Sequence, residues 1–230
     1  MGPDIKPSPS AGATKDGWAA RLRGFGPVGI LATALIPFAG TALIGALLVL
    51  VWARLSRSPL AEIGYVAPRS WTRAVAGGLV FGVVFKLVMK AVVMPLLGAA
   101  PVNQTYHYLA GNAAATAAMA VFVTLSGGFG EETVYRGFLF KRFCTVFGSR
   151  RVAMPLALAL TSIWFAAVHY PDQGVDGVKQ AVITGLAFGT MFVMTRSLVM
   201  PMVTHAAFDL AAVALIYWDL ETRVAHFIFK

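Results

Sequence analysis

The chain has 230 residues, of which 58% are hydrophobic and 13% are charged, and its mean hydropathy is +0.73. These values exclude an ordinary soluble globular domain, in which about 25% of residues are charged, and they predict a polytopic membrane protein. The formal net charge of +9 does not indicate a nucleic-acid partner, because the basic residues lie mostly at the ends of apolar segments rather than in one patch.

The N-terminal segment shows no periodic apolar pattern. Its first residues are rich in Pro, Ser, Gly and Ala. A segment of this composition cannot bury enough apolar surface to fold by itself. We therefore expect a disordered tail over residues 1–25 and assign it no function.

A long uncharged run follows at residues 28–52. At about 25 residues it is long enough to cross a hydrocarbon core of about 30 Å as a helix. Its length, and the basic residues Arg54 and Arg57 that close it, favour a retained helix over a cleaved signal peptide. We expect one continuous membrane-spanning helix here.

The rest of the chain continues as apolar segments separated by short polar connections. The further predicted helices lie at about 74–98, from 112 to the basic cluster near 141–151, and at 152–169, 178–195 and 198–218. Together with the first run, they predict an all-α bundle of about six to eight transmembrane helices.

Two connections predict which side of the membrane each helix end faces. The connection after the first helix carries Arg54, Arg57, Arg69 and Arg73, so the positive-inside rule places it in the cytoplasm. The next connection, 99–111, has no Lys or Arg and belongs on the other side.

The predicted helix from residue 112 carries three ionisable side chains within Glu131-Glu132-Thr133-Val134-Tyr135-Arg136. A charge near the bilayer centre costs about 2.5–3.5 kcal/mol, so such charges are paired or line a wet cavity. Glu132 and Arg136 have the i, i+4 spacing of an ion pair, which could be purely structural. Glu131 shares its helix face with Tyr135, lacks that partner, and is the candidate general base.

Two histidines stand in similar apolar surroundings further along the chain. Phe165 precedes His169 by one helical turn, and His169 is followed by Tyr-Pro, which indicates a helix end. His205 and Asp209 again have i, i+4 spacing, so the Asp209 carboxylate can accept a hydrogen bond from His205 and fix its tautomer. Because of this paired context, we favour a functional role over a structural one for both histidines.

In this order, Glu-Glu-x-x-x-Arg, Phe-x-x-x-His and His-x-x-x-Asp resemble the motifs of the CPBP intramembrane proteases. That family includes the CAAX prenyl endopeptidases and the bacteriocin-processing Abi proteins. The resemblance extends to residues 136–140 and 197–201 and covers roughly residues 115–215. One such motif is weak evidence, whereas three in succession within apolar segments are specific.

The resemblance implies that Glu131 activates a water for attack on a peptide carbonyl and that His169 helps to hold this water. His205 and Asp209 are implied to stabilise the oxyanion. Asp209 departs from the Asn often found at that position, and an ionised Asp cannot donate a hydrogen bond to an oxyanion. We therefore expect Asp209 mainly to orient His205. The predicted supporting residues are Glu132, Tyr135, Arg136 and Phe165.

Metal dependence stays open at the level of the sequence. Histidines and carboxylates are adequate zinc ligands, and Glu131, His169 and His205 are the expected ligands if a metal is present. The chain has no His-Glu-x-x-His motif, and the single Cys144 excludes a disulfide framework and argues against a cysteine-based metal cluster. Because a glutamate-activated water gives a complete mechanism without metal, we favour no cofactor and keep zinc as the alternative.

We therefore predict an intramembrane endopeptidase that acts on a membrane-associated peptide or protein, with membrane lipids as its other partners and no nucleic acid. A prenylated CAAX tail, a bacteriocin leader and a membrane-anchored protein all remain open as substrates. The expected location is the bacterial cytoplasmic membrane. The expected division is N-terminal transmembrane helices over 26–110, the catalytic core over 111–220 and a short C-terminal tail over 221–230.

The alternative is a non-catalytic membrane scaffold, immunity protein or transporter that uses the same polar core only for binding. Glu131→Gln separates the two hypotheses, because it removes the base and keeps nearly the same shape.

Overall fold

The computed structural model describes residues 11–148 and 150–229, and within these ranges the protein is an all-α bundle without β-strands. This confirms the predicted fold class. Three short 3-10 turns, Ile36–Phe38, Leu60–Ile63 and Gln104–Leu109, lie between the helices. The helices are α1 (Ala11–Arg23), α2 (Pro27–Leu35), α3 (Ala42–Ser56), α4 (Trp71–Leu96), α5 (Ala113–Phe147), α6 (Arg150–Ala167), α7 (Tyr170–Thr195), α8 (Val199–Tyr217) and α9 (Glu221–Ala225).

Four of the described helices, α4, α5, α7 and α8, are long and apolar enough to cross a membrane. A bent pair, Gly17–Arg23 with Pro27–Phe38, counts as a fifth if its two parts form one span, and they meet at 52°. Large apolar side chains such as Val80, Val121 and Ile163 are exposed on the outside of the bundle. Such a surface suits contact with lipid, so the protein is an integral membrane protein.

The prediction of one continuous helix over 28–52 is wrong, because the chain turns between α2 and α3. Pro37 lies in the 3-10 turn that ends α2, and Gly40 has a φ of +86°, in the left-handed region that favours glycine. The Thr41 hydroxyl then accepts a hydrogen bond from the Ile44 amide at 3.4 Å and caps α3. Hydropathy alone does not report such a break within an apolar run.

In place of the disorder predicted for residues 1–25, the structure has helix α1 over Ala11–Arg23, while residues 1–10 lie outside the described ranges. Tertiary contacts explain the difference. The Trp52 indole N–H donates to the Leu22 carbonyl at 3.2 Å, and Arg142 donates to the Gly24 carbonyl at 2.8 Å. A segment too polar to fold alone is thus held against α3 and α5.

The predicted helix from residue 112 is confirmed as α5, which the Asn112 side chain caps by accepting from the Ala115 amide at 3.1 Å. Its middle part, Val123–Leu139, has the wider hydrogen-bonding pattern of a π-helix. Such segments are rare and are frequently found at functional sites. In this protein the π segment carries both glutamates of the first motif.

Helix α8, which carries the third motif, packs closely against α4 at glycine positions. A Cβ at Gly82 would overlap the Thr204 carbonyl oxygen and lie 2.8 Å from the Ala207 Cβ. Small residues at such contacts let helices approach closely where lipid supplies no hydrophobic drive for association. This contact helps to fix the position of α8.

The described basic side chains concentrate at one end of the bundle. Arg57 and Arg69 lie between α3 and α4, Lys141 lies near the end of α5, Arg151 near the start of α6, and Arg196 directly after α7. The opposite end contains the connection between α4 and α5, which has no Lys or Arg. The positive-inside rule therefore predicts that the basic end faces the cytoplasm.

Cysteine labelling tests this orientation, since Cys144 is the single cysteine. In a Cys144→Ser background, His107→Cys places a thiol at an exposed position of the α4–α5 connection, and Ala67→Cys places one at an exposed position of the basic end. We expect a membrane-impermeant maleimide to label the His107→Cys variant in intact spheroplasts and the Ala67→Cys variant only after permeabilisation. The reverse pattern would show that the orientation is inverted.

Candidate active site

A cavity of about 600 Å³ lies inside the bundle, and Glu131, His169, His205 and Asp209 all line it. Glu131 comes from the π segment of α5, His169 follows α6, and His205 and Asp209 lie on α8. Three separate parts of the chain therefore bring the four predicted catalytic side chains to one space. The cavity extends to the end of the bundle that contains Asn103, in the α4–α5 connection.

The carboxylate of Glu132 lies at the centre of the polar contacts around this cavity. Its Oε1 accepts a hydrogen bond from Arg136 Nη1 at 2.9 Å, as the i, i+4 spacing predicted. The same oxygen contacts His205 Nδ1 at 2.7 Å. Glu132 and Arg136 are 0% and 2% exposed, so this cluster is shielded from solvent and its charges must neutralise one another.

The Arg136 guanidinium also contacts groups on two other helices, α6 and α7. Its Nη2 donates to the Gly185 carbonyl on α7 at 3.3 Å. Its guanidinium lies 4.4 Å from the centroid of the Phe165 ring and 5.8 Å from that of Phe188, distances typical of cation–π contacts. The Arg136 guanidinium, which is paired with Glu132 within α5, therefore links α5 to α6 and α7.

His205 presents its second ring nitrogen to the cavity, because Nδ1 is bound to Glu132. Nε2 lies 3.5 Å from Glu131 Oε2 and 3.5 Å from Asp209 Oδ2. We expected Asp209 to fix the tautomer of His205, but the short contact is made by Glu132 at 2.7 Å. Asp209 therefore contacts His205 less closely than Glu132 does.

Glu131 is the more accessible of the two glutamates, with a side chain 20% exposed. As predicted, Arg136 bonds Glu132 and leaves Glu131 to face the cavity, where it contacts His205 Nε2 at 3.5 Å. Tyr135, on the same face, is buried and also lines the cavity. Its ring packs edge-on against Phe165, with centroids 5.3 Å apart.

His169 is oriented by the turn of helix that precedes it. Its Nδ1 lies 2.7 Å from the Phe165 carbonyl oxygen, which can only accept a hydrogen bond, so Nδ1 carries a proton, and in the neutral imidazole Nε2 is the acceptor. The Phe165 ring contacts both imidazoles, with centroids 4.6 Å from His169 and 5.9 Å from His205. Phe165 thus sets the position of both histidines.

Sequence reasoning missed two parts of the site. Phe188 on α7 packs against His205 with centroids 4.9 Å apart, although no motif marks it. Gly127 is the other, because a Cβ there would lie 2.6 Å from Asp209 Oδ2. The only sequence signal for Gly127 is the glycine-rich stretch before the glutamates, which does not reveal its neighbour on α8.

The described residues contain no group of three His, Cys, Asp or Glu side chains placed to hold a metal ion. The set Glu131, His169 and His205 therefore does not fit a zinc site in this arrangement, and we assign no step to a metal.

The family model described as type II CAAX prenyl endopeptidase Rce1-like matches residues 113–211. This core is an Rce1-like domain of the CPBP family. The matched region begins at α5, includes all three motifs and confirms the resemblance inferred from them. At the level of the family, this match supports a CAAX-type intramembrane protease. No curated protein and no solved structure matches the chain.

Replacing Arg136 tests the buried cluster of this Rce1-like domain. Arg136→Met leaves the Glu132 carboxylate buried without its guanidinium partner, and we expect a loss of about 3–5 kcal/mol in the free energy of unfolding. Denaturant unfolding of the purified protein in detergent micelles measures this loss.

Lys141→Met is the matched control, because it breaks the exposed Lys141–Glu62 pair, whose side chains are 40% and 48% exposed. Its expected cost is below about 1 kcal/mol. Equal, small losses for both variants would show that the buried pair does not stabilise the fold.

Proposed function

We propose that this protein is an intramembrane endopeptidase that hydrolyses a peptide bond of a membrane-associated substrate through a water activated by Glu131. One observation carries the proposal. The Glu131 carboxylate faces the cavity beside His205, whose other nitrogen is bound to the buried Glu132–Arg136 pair. A base next to a fixed imidazole is the arrangement that general acid–base hydrolysis requires.

In the proposed first step, Glu131 removes a proton from a water as its oxygen attacks the carbonyl carbon of the scissile bond. His169 helps to hold this water, since its unprotonated Nε2 can accept the second water hydrogen. The product is a tetrahedral intermediate that carries a negative charge on the former carbonyl oxygen.

His205 is the proposed donor to this oxyanion. When both its nitrogens are protonated, Nδ1–H donates to Glu132 and Nε2–H points into the cavity. Asp209, 3.5 Å from Nε2, helps to keep that proton in place rather than donating to the oxyanion itself. Collapse of the intermediate then breaks the C–N bond, and Glu131 returns its proton to the leaving amine.

The cavity suits a short stretch of extended peptide, since about 600 Å³ lies within the range of ligand-binding clefts. It extends to the bundle end opposite the basic side chains, so the proposed orientation gives the substrate access from outside the cytoplasm. A membrane-anchored protein or a bacteriocin-like peptide is then reached more directly than a cytoplasmic prenylated tail. The proposed location is the bacterial cytoplasmic membrane.

Cleavage by the purified protein in lipid tests the role of Glu131. We expect wild type to cut members of a library of prenylated and unprenylated membrane-anchored peptides. Glu131→Gln should lower kcat/KM by about 10²- to 10⁴-fold, the usual contribution of a general base, and keep peptide binding. Glu62→Gln, which changes an exposed carboxylate outside the cavity, should leave kcat/KM unchanged.

A Glu131→Gln variant that cleaves as fast as wild type would contradict the mechanism. If both proteins bind peptides and neither cleaves them, the result would favour the scaffold or transporter hypothesis. A chelator included in parallel should not change the rate, because no step is assigned to a metal.

A further inference from the structure

A second feature of the cavity is not used by the proposed mechanism. Lys86 lies on α4, outside the region that matches the family model, and lines the same cavity as Glu131 and His205. The residue is only 9% exposed, and α4 is a membrane-spanning helix. Because a lysine inside a membrane span is costly, it normally has a paired charge or a functional ligand.

The partners of Lys86 among the described residues are neutral. Its Nζ donates to the Gln180 Oε1 at 3.1 Å and lies 4.8 Å from the centroid of the Phe208 ring. No carboxylate of the described residues lies within ion-pair distance, 4.0 Å, of this nitrogen. An ammonium has three donors, so Lys86 can bind a further acceptor.

The neighbouring lysine provides the contrast. Lys90, one helical turn further along α4, also lines the cavity, but its Nζ is paired with Glu221 Oε1 at 2.7 Å. Asp176 is likewise paired with Lys179 at 2.9 Å. These two acidic groups have their own cations, and Asp209, whose charge also acts on Lys86, contacts His205 at 3.5 Å. Lys86 is thus left as the lysine of the cavity without an ion-pair partner in the described chain.

We propose that Lys86, together with Gln180, forms a subsite of the cavity that binds a carboxylate group of the peptide substrate. The proposal rests on the function proposed above, in which this cavity holds the peptide. One oxygen of the bound carboxylate accepts from Lys86 Nζ, and the Gln180 amide supplies a second donor. The carboxylate belongs either to the peptide C-terminus or to an Asp or Glu side chain close to the scissile bond.

The position of Phe208 places this subsite beside the catalytic groups. Its ring lies under Lys86, and it packs edge-on against Phe188 with centroids 6.0 Å apart. Phe188 in turn contacts the His205 ring at 4.9 Å. The subsite and the proposed oxyanion donor therefore line the same cavity and are connected through two packed aromatic rings.

A merely structural role for Lys86 predicts a different result. If Lys86 only offsets the charge of Asp209 across the cavity, its removal weakens binding and cleavage of all peptides alike. A carboxylate subsite instead makes acidic peptides, and only those, sensitive to the substitution.

Binding to the inactive Glu131→Gln protein in lipid nanodiscs tests the proposal without any need for hydrolysis. Four fluorescent peptides of one sequence would be compared by anisotropy: a free C-terminal acid, the C-terminal amide, the amide with one internal Asp, and the amide with Asn in its place. We expect one acidic peptide to bind at least about tenfold more tightly than its neutral counterpart. Which acid shows this preference identifies the source of the carboxylate.

The same measurement on Lys86 variants of the Glu131→Gln protein locates the subsite. Lys86→Met should abolish the preference, Lys86→Arg should keep most of it, and Lys141→Met, a control at an exposed lysine outside the cavity, should leave it unchanged. Thermal unfolding of each variant checks that it is folded. If Lys86→Met does not fold, Lys86→Gln keeps the test decisive, because it has a polar side chain without the positive charge and should also abolish the preference.

Three results would overturn the proposal: equal affinity for acidic and neutral peptides, a preference that persists in Lys86→Met, or no binding of any peptide. Each is distinct from failure of the protease proposal, which is judged separately by the cleavage activity of wild type. If the protein cleaves acidic and neutral peptides equally well, the result supports the proposed protease function and contradicts only the proposed subsite.

Discussion

The contacts of one buried carboxylate with a guanidinium and an imidazole position the rest of the site. Glu132 Oε1 accepts from Arg136 at 2.9 Å and contacts His205 at 2.7 Å, and the guanidinium reaches the Gly185 carbonyl at 3.3 Å. These contacts tie α5, α7 and α8 together in a region shielded from water. Since an unpaired charge there is very costly, the helices are constrained to the arrangement in which all three groups meet. The same constraint directs His205 Nε2 into the cavity.

The backbone of α5 makes this arrangement sterically feasible. The π-helical segment Val123–Leu139 brings Glu131 and Glu132 to the same imidazole from successive positions. Its glycines let neighbouring helices come close, because a Cβ at Gly130 would lie 2.8 Å from the Ala42 carbonyl oxygen and one at Gly128 would lie 3.0 Å from that of Met202. The close approach of these helices therefore requires glycine, which has no side chain, at both positions.

The cavity combines two parts of the chain. The Rce1-like domain, 113–211, supplies the proposed base, both histidines and the buried ion pair. Residues outside this domain, including Lys86 and Asn103 before it and Glu221 after it, complete the wall. The groups proposed for the chemistry thus lie within this domain, whereas the proposed carboxylate subsite combines Lys86, which precedes the domain, with Gln180 inside it.

The sequence by itself determined the all-α membrane fold, the helix that carries the glutamates and the Glu132–Arg136 pair. All of these depend on apolar run length or on neighbours within one helix. Only the tertiary structure decided the turn between α2 and α3. It also decided two contacts between distant parts of the chain: Glu132 with His205, 73 positions apart, and Lys86 with Gln180, 94 positions apart. The hydrophobic pattern of a segment indicates that it lies in lipid. It does not indicate which helix faces meet, because lipid favours no particular pair of faces. Close packing and the pairing of buried polar groups decide that, and both are properties of the assembled bundle.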